Sequence, residues 1–358
     1  MFPILRSFVR INVNAVPKHL AWLYGALLWA GLLASCSGRG SGWLSPVSSG
    51  RPYDVLVVAS DGTWQQPVDL ALTEALGADV PGLPQPECSF RLMRAAPENF
   101  DATLRLMRNI VVVDIDSQYA RPAFRYARDV YASPQLILTV QAPDARTLAR
   151  FVTGNAEAVV SLFTREEMSR RALQLEERHN DYASRRLREM FGCDVWIPAE
   201  LSAFKEGTDF FWAGTRAATD DRYFVMYAYP YEGDGAWSKV AFVHKRDSVL
   251  KANIPGAGES IYMATDTLMT DVRILPPQGR FALEARGLWR MEGDFMGGPF
   301  VAMARLDKAK RRVVVAEVFV YAPGREKRNL LRDLEASLYT WRWTGDGKKE
   351  QAYNNINK

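Results

Sequence analysis

The start of this chain is written to be cut away, which confines any fold to the residues after Cys36. Arg6, Arg10 and Lys18 give a basic opening with no acidic residue. Leu20 to Leu33 then form an apolar stretch of 14 residues. A spanning helix needs about 20 apolar residues, so this length suits a secretory leader better than a membrane anchor helix. The stretch ends in Leu33-Ala34-Ser35-Cys36. A large aliphatic residue, two small ones and a cysteine form the lipobox of a bacterial lipoprotein. The cysteine takes a diacylglyceryl thioether, cleavage exposes its amine, and that amine is usually acylated. Each buried methylene contributes about 0.8 kcal/mol, so two or three acyl chains hold a protein on a membrane. Ser37 beside the cysteine favours the outer membrane under the sorting rule of enteric bacteria. The expected location is the inner leaflet of the outer membrane, facing the periplasm.

Removing residues 1–35 takes three of the 45 basic residues and none of the 41 acidic ones, leaving 42 against 41. A near-neutral mature chain has no basic field to attract nucleic acid, so that partner is excluded. Cys88 and Cys193 remain after lipidation. They would either pair in an oxidising periplasm or sit as two free thiols, and the sequence leaves both open.

Residues 36–52 are Gly/Ser-rich and read as a flexible tether. Order is expected from Val55-Leu56-Val57-Val58, a buried-strand run, followed by a helix over Val68 to Leu76 that Gly77 ends. Phe90 to Met93, Ile110 to Ile115 and Gln135 to Val140 read as further strands, and Phe100 to Met107 as a helix. Asp144 is placed to cap a helix from Ala145 to Phe163. Thr164 and Glu167 match a capping box opening a second, densely charged helix as far as Phe191. Its less polar seam is Met168, Ala172, Leu175, His179 and Tyr182, fit for a strut between two halves or for a partner helix. Strands are expected at Asp209 to Ala213, Tyr223 to Tyr229, Phe281 to Met291, Phe300 to Leu306 and Val313 to Tyr321, and helices at Val240 to Ala252 and Glu326 to Tyr339. The expectation is an α+β fold with mixed and antiparallel sheets flanked by helices. The reading divides the chain into residues 53–192, residues 193–345 and a polar tail, 346–358. The similar element order of the two halves admits a duplicated unit joined by the charged helix, although no residue-level self-similarity supports one.

Three later segments carry a resemblance: Lys245-Arg246-Asp247-Ser248 on to Pro255-Gly256; Arg286-Gly287-Leu288-Trp289 with Gly293-Asp294-Phe295-Met296-Gly297-Gly298-Pro299-Phe300; and Val320-Tyr321-Ala322-Pro323. Together they make most of the mature chain resemble a family of uncharacterised Bacteroidota lipoproteins, the domain of unknown function 4837 family. The resemblance implies an envelope lipoprotein and brings no activity, cofactor or catalytic residue.

The glycine-rich stretch offers the leading candidate binding site. Gly293, Gly297 and Gly298 allow close backbone approach, Trp289 and Phe295 offer flat apolar faces, and Arg286, Arg290 and Asp294 offer polar contacts. Such a set suits sugar rings or a peptide; the competing reading is a tight loop whose Trp289 fills the core. His244 and Ser248 are four apart and share a helix face, but no G-x-S-x-G elbow accompanies them, so serine catalysis is disfavoured. Cys193 with His179 or His244 is no better a nucleophile system. Asp114 and Asp116 share a strand face and would suit a cation or acid/base work, or simply a solvated strand end. Without H-E-x-x-H, C-x-x-C, a P-loop or a dinucleotide fingerprint, neither metal nor cofactor is expected. Arg121, Arg125 and Arg128 read as a solvated helix face or a contact for anionic lipid or an acidic partner. The function expected is a non-catalytic envelope binding or interaction protein, meeting a protein partner or cell-wall glycan. The alternatives are a glycan or peptidoglycan hydrolase and a small-ligand carrier with a closed pocket near Trp289.

Overall fold

The computed structural model describes residues 45–216, 220–256, 258, 260–276 and 280–344. The leader, Cys36, the tether before residue 45 and the polar tail lie outside the described residues.

The first sheet grows from short apolar runs. β1 (Asp54–Val58), β2 (Arg91–Ala95), β3 (Asn109–Ile115), β4 (Ala123–Arg128) and β5 (Leu136–Ala142) lie in the order β2-β1-β3-β5-β4. All pairings are parallel except β4, which runs antiparallel to β5 at the edge. Every residue of β1 is buried, as a strand covered on both faces must be. On one face Val55, Val57, Val111 and Leu138 meet helices α1 (Val68–Leu76), α2 (Ala145–Gly154) and α3 (Ala156–Glu177). On the other, Leu56, Val58, Ile110 and Ile137 lie under Phe100 and Leu104.

That covering segment is not the helix its composition suggests. It holds only two single 3-10 turns, Pro97–Asn99 and Leu104–Leu106. The Asp101 carboxylate accepts the N–H groups of Thr103 and Leu104, both at 2.9 Å, and so holds the backbone in a turn.

The Asp144 cap forms as expected, with its carboxylate accepting Thr147 N–H at 2.8 Å. The helix after it stops at Gly154, because Asn155 leaves the helical conformation before α3 begins. Thr164 and Glu167 therefore lie inside α3 rather than at a helix start. Glu167 turns inward and accepts Asn109 Nδ2 at 2.7 Å and Arg170 Nη1 at 2.8 Å. A second break at Arg178 to Asn180 separates α3 from α4 (Asp181–Phe191), whose Asn180 cap accepts Ala183 N–H. Gly192 ends α4 in the left-handed conformation, φ 72°.

β7 (Ala203–Gly207), β8 (Phe210–Gly214), β9 (Asp221–Pro230), β10 (Tyr262–Ile274), β11 (Leu283–Glu292), β12 (Gly297–Asp307) and β13 (Arg312–Tyr321) form an antiparallel sheet, ordered β10-β11-β12-β13-β9-β8-β7. β6 (Cys193–Asp194) and β14 (Arg342–Trp343) form a separate two-stranded ladder. Strand alternation sorts the two faces of the larger sheet. Val314, Ala316 and Val318 of β13 face a core built with Leu187 and Phe191 of α4 and Leu331, Leu334 and Leu338 of α6 (Arg328–Tyr339). Val313, Val315 and Phe319 face a core with Phe242, Val243 and Leu250 of α5 (Lys239–Asn253). Burial on both faces is why β13 reads as an unbroken apolar run, save for Glu317.

The fold is α+β, but its two larger sheets are not copies: one has a parallel centre and the other is antiparallel throughout. From Pro46 on, the chain forms one compact unit. α3 joins the sheets. Val159 and Phe163 pack on the first, while Met168, Ala172 and Leu175 pack against Ala336 of α6. The seam's last members leave this helix: His179 stacks on Trp196 at 5.7 Å, and Tyr182 belongs to α4. Cys88 and Cys193 are both free thiols. Burial pushes the Cys193 thiol far above its ordinary value, so it has no thiolate to offer as a nucleophile.

Candidate functional site

The glycine-rich stretch does not assemble into a ligand site. Trp289 is 2% exposed and packs on Phe319, with its indole N–H donating to the Val320 carbonyl at 3.3 Å. A side chain at Gly298 would place Cβ 2.0 Å from the Val320 carbonyl oxygen, and one at Gly297 would place it 2.9 Å from that of Trp289. These two glycines lie within β12 and let adjacent backbones and the indole pack closely; they do not open space for a ligand. Arg286 points to the opposite face of β11, where Glu284 at 2.7 Å and Glu335 of α6 pair with it. Phe295 and Asp294 are exposed in the β11–β12 turn, the Asp294 carboxylate accepting Phe295 N–H at 2.6 Å. These six of the eight candidate residues are thus split between a core, a partly buried ion pair and a solvated turn. Trp289 packs in the core, as the competing reading of the stretch expects.

Arg290 and Glu292, from the end of β11, line a different feature. An open groove of about 510 Å³ runs between α5 and β10. One wall is the α5 face bearing His244, Asp247, Ser248 and Lys251, at spacings of three and four that bring them to one side of the helix. The other comes from β10 (Tyr262, Thr265, Asp266 and Leu268), with Arg290 and Glu292 closing one end. So the helix face singled out for His244 and Ser248 does border a cleft. Yet neither side chain makes a hydrogen bond among the described residues, so no serine–histidine pair is formed.

The groove rests on a buried ion pair. Arg246 and Glu317 are both fully buried. They join bidentately, Nε to Oε2 at 2.9 Å and Nη2 to Oε1 at 2.6 Å. Arg246 Nη1 also donates to Thr265 Oγ1 at 2.8 Å, and the guanidinium lies 4.0 Å from the Phe300 ring centre. Burial alone would pull the Arg246 pKa down; the Glu317 carboxylate reverses this and holds the guanidinium charged. Thr265 passes the order outward, donating its hydroxyl (2.5 Å) and its N–H (2.9 Å) to the Asp247 carboxylate in the groove wall.

The other groove carboxylates are also engaged. Asp266 accepts the N–H groups of Leu268 and Met269 at 3.1 and 3.2 Å. Glu292 accepts Arg290 Nε at 3.0 Å and Nη2 at 2.5 Å. Lys251 Nζ lies 3.8 Å from the Tyr262 ring centre. The result is a trough of alternating charge with aliphatic and aromatic surface between, suited to a polar chain-like ligand.

Elsewhere, Asp114 accepts Tyr119 OH at 2.5 Å and Gln141 Nε2 at 2.8 Å, while Asp116 accepts Gln118 N–H at 2.9 Å. Both are parts of a strand end. No group of three or more potential metal ligands occurs among the described residues. Arg125 and Arg128 lie on the edge strand β4 and Arg121 in the turn before it, not on a helix; Arg128 pairs with Glu166 at 3.1 Å.

Sequence reasoning missed β10 and the Arg246–Glu317 pair. The one available signal was Glu317, a single charge within Val313-Val314-Val315-Ala316-Glu317-Val318-Phe319-Val320. A charge in a strand buried on both faces requires a partner.

No curated protein and no solved structure matches this chain. Residues 48–176 match a family described as Domain of unknown function (DUF8532). The likeness read from the later segments extends over residues 180–340 rather than most of the mature chain. Those residues, which supply the antiparallel sheet, α5 and the groove, match the family described as Domain of unknown function (DUF4837).

Proposed function

We propose that this protein is a lipid-anchored, periplasm-facing component of the bacterial cell envelope that binds cell-wall material in the α5–β10 groove without turning it over. The observation that carries the binding reading is the groove itself: a preformed trough of about 510 Å³ whose acidic side chains each serve a neighbouring donor. A glycan or its attached peptide fits that chemistry, with hydroxyl and amide groups for the alternating charges and apolar edges for Tyr262 and Leu268. The anchoring reading rests on the basic opening, the apolar stretch and Cys36 in its lipobox. It accords with the finding that, among the described residues, no helix is long and apolar enough to cross a membrane.

Sedimentation with insoluble cell-wall material tests the binding. The native protein is expected to co-sediment and release no soluble fragments. Arg290→Glu, which reverses the charge closing one end of the groove, is expected to weaken retention about tenfold or more, the loss typical of a charge-assisted contact. Release of soluble sugar or peptide fragments by the native protein would make the groove a hydrolase site instead. Unchanged retention by the variant would move the site off the groove.

A further inference from the structure

We propose that the cleft where α3, β9 and the first turn of α6 meet is a second binding site, separate from the groove, for a small oxyanion of the phosphate class. The cleft encloses about 250 Å³ and is lined by Arg108, Arg171, Arg222 and Arg332 against only two carboxylates, Glu167 and Asp333. Arg108 and Arg171 come from the segment that matches one family, and Arg222, Arg332 and Asp333 from the segment that matches the other.

Both carboxylates are already engaged. Glu167 lies 3.0 Å from Arg108 Nη2 and 2.8 Å from Arg170 Nη1, a further buried guanidinium behind the cleft. Asp333 lies 2.6 Å from Arg171 Nε, and its second oxygen is 3.8 Å from Arg222 Nη1, which also pairs with Glu200 at 3.1 Å outside the lining. Arg332 is left over. It is 5% exposed, donates from Nη1 to the Ser89 carbonyl at 2.9 Å and stacks 4.4 Å from the Tyr53 ring centre. Among the described residues it has no carboxylate within ion-pair distance. Burial pulls its pKa below the ordinary guanidinium value, the mark of a charge short of compensation. The buried Nε atoms of Arg108 and Arg222 also lack acceptors among the described residues.

Buried donors and uncompensated cations cost free energy, so a cleft that keeps them is shaped for an acceptor from outside. The buried Arg332 guanidinium and the open Nε donors of Arg108 and Arg222 suit an oxyanion with several acceptor oxygens. Guanidinium forks match phosphate oxygens bidentately.

The test uses the full chain purified in detergent and titrated calorimetrically with inorganic phosphate at ionic strength fixed with sodium chloride. Saturable one-to-one binding is expected. Arg222→Gln and, independently, Arg332→Met are each expected to weaken it about ten- to a hundredfold. Arg222 is the reference variant because it lies at the cleft's rim, and its unfolding midpoint without phosphate is expected to match the native one. Absence of saturable binding, or binding unchanged in Arg222→Gln, would overturn the proposal. Vesicles of phosphatidylcholine with and without phosphatidic acid identify the source of the anion. Retention on phosphatidic acid that free phosphate competes away assigns a lipid headgroup. Binding of free phosphate with no difference between vesicles assigns a soluble phosphate. Retention on phosphatidic acid that survives both competition and Arg222→Gln would place anion binding elsewhere.

Discussion

Replacing Glu317 with leucine is expected to cost about 3–5 kcal/mol of folding stability, because it leaves the Arg246 guanidinium buried without its counter-charge. Arg246 is fully buried under Phe300, and its third nitrogen, Nη1, is held by Thr265 and lies 3.8 Å from the half-exposed Asp247 carboxylate. The double replacement Arg246→Met/Glu317→Leu is expected to recover most of the loss, since removing both charges removes the desolvation penalty along with the attraction. Urea unfolding of the native protein, both single variants and the double variant closes the cycle. Single variants within 1 kcal/mol of native, on the order of an exposed ion pair, would mean that the pair is not isolated from solvent. The pair also supports the groove. Arg246 holds Thr265, which holds Asp247, so Glu317→Leu is expected to weaken retention on cell-wall material although Glu317 does not line the groove.

Trp289→Ala is expected to cost about 3–5 kcal/mol, the range for emptying a large aromatic site in a packed core. The indole fills the space between β11 and β13 against Phe319 and Tyr321, and its N–H satisfies a buried carbonyl. Phe295→Ala, only six residues along, is expected to stay within about 0.5 kcal/mol, because that ring is fully exposed and supports nothing beneath it. Thermal unfolding of the two variants separates core from ligand roles. A stable Trp289→Ala protein that loses retention on cell-wall material would restore the glycine-rich stretch as a binding site.

The elements legible in the sequence are those whose local pattern and tertiary role coincide. β1 is a run of apolar residues because both of its faces are covered. α1 ends where Gly77 stands, and the α5 bounds are legible to within a residue at each end because Ser238 caps it and an apolar face recurs along it. Elements decided by distant contacts are not legible. β10 escapes a sequence reading because Met263, Ala264 and Thr265 are buried in succession, Thr267 to Met269 are exposed in succession, and its pairing shifts register between Asp266 and Asp271, so no clean alternation survives. Asn155 interrupts a helical pattern that is otherwise continuous on both sides. Thr164 and Glu167 imitate a helix start while Glu167 serves a buried network with Asn109 and Arg170. Glycines at 297 and 298 signal close approach, but the approaching group is the protein's own Val320 and Trp289. The groove is half legible. Its α5 wall follows from helical spacing, whereas the facing wall is the strand β10 that the sequence does not reveal, and the Arg246–Glu317 support joins residues 71 positions apart in the chain.

The most direct test of an envelope binding protein acting through the α5–β10 groove is site-specific photo-crosslinking in intact cells. The photoreactive residue replaces Ser248, which is exposed in the groove wall and makes no hydrogen bond among the described residues. A second protein carries it at exposed Val240, outside the set of groove-lining residues, and a third combines the Ser248 probe with Cys36→Ser. The account predicts capture of cell-wall glycan or peptide from position 248 alone, in the membrane fraction, and its loss together with membrane attachment in the Cys36→Ser form. Identical capture from both positions, or capture and lipid-labelled membrane attachment that persist without Cys36, would contradict it.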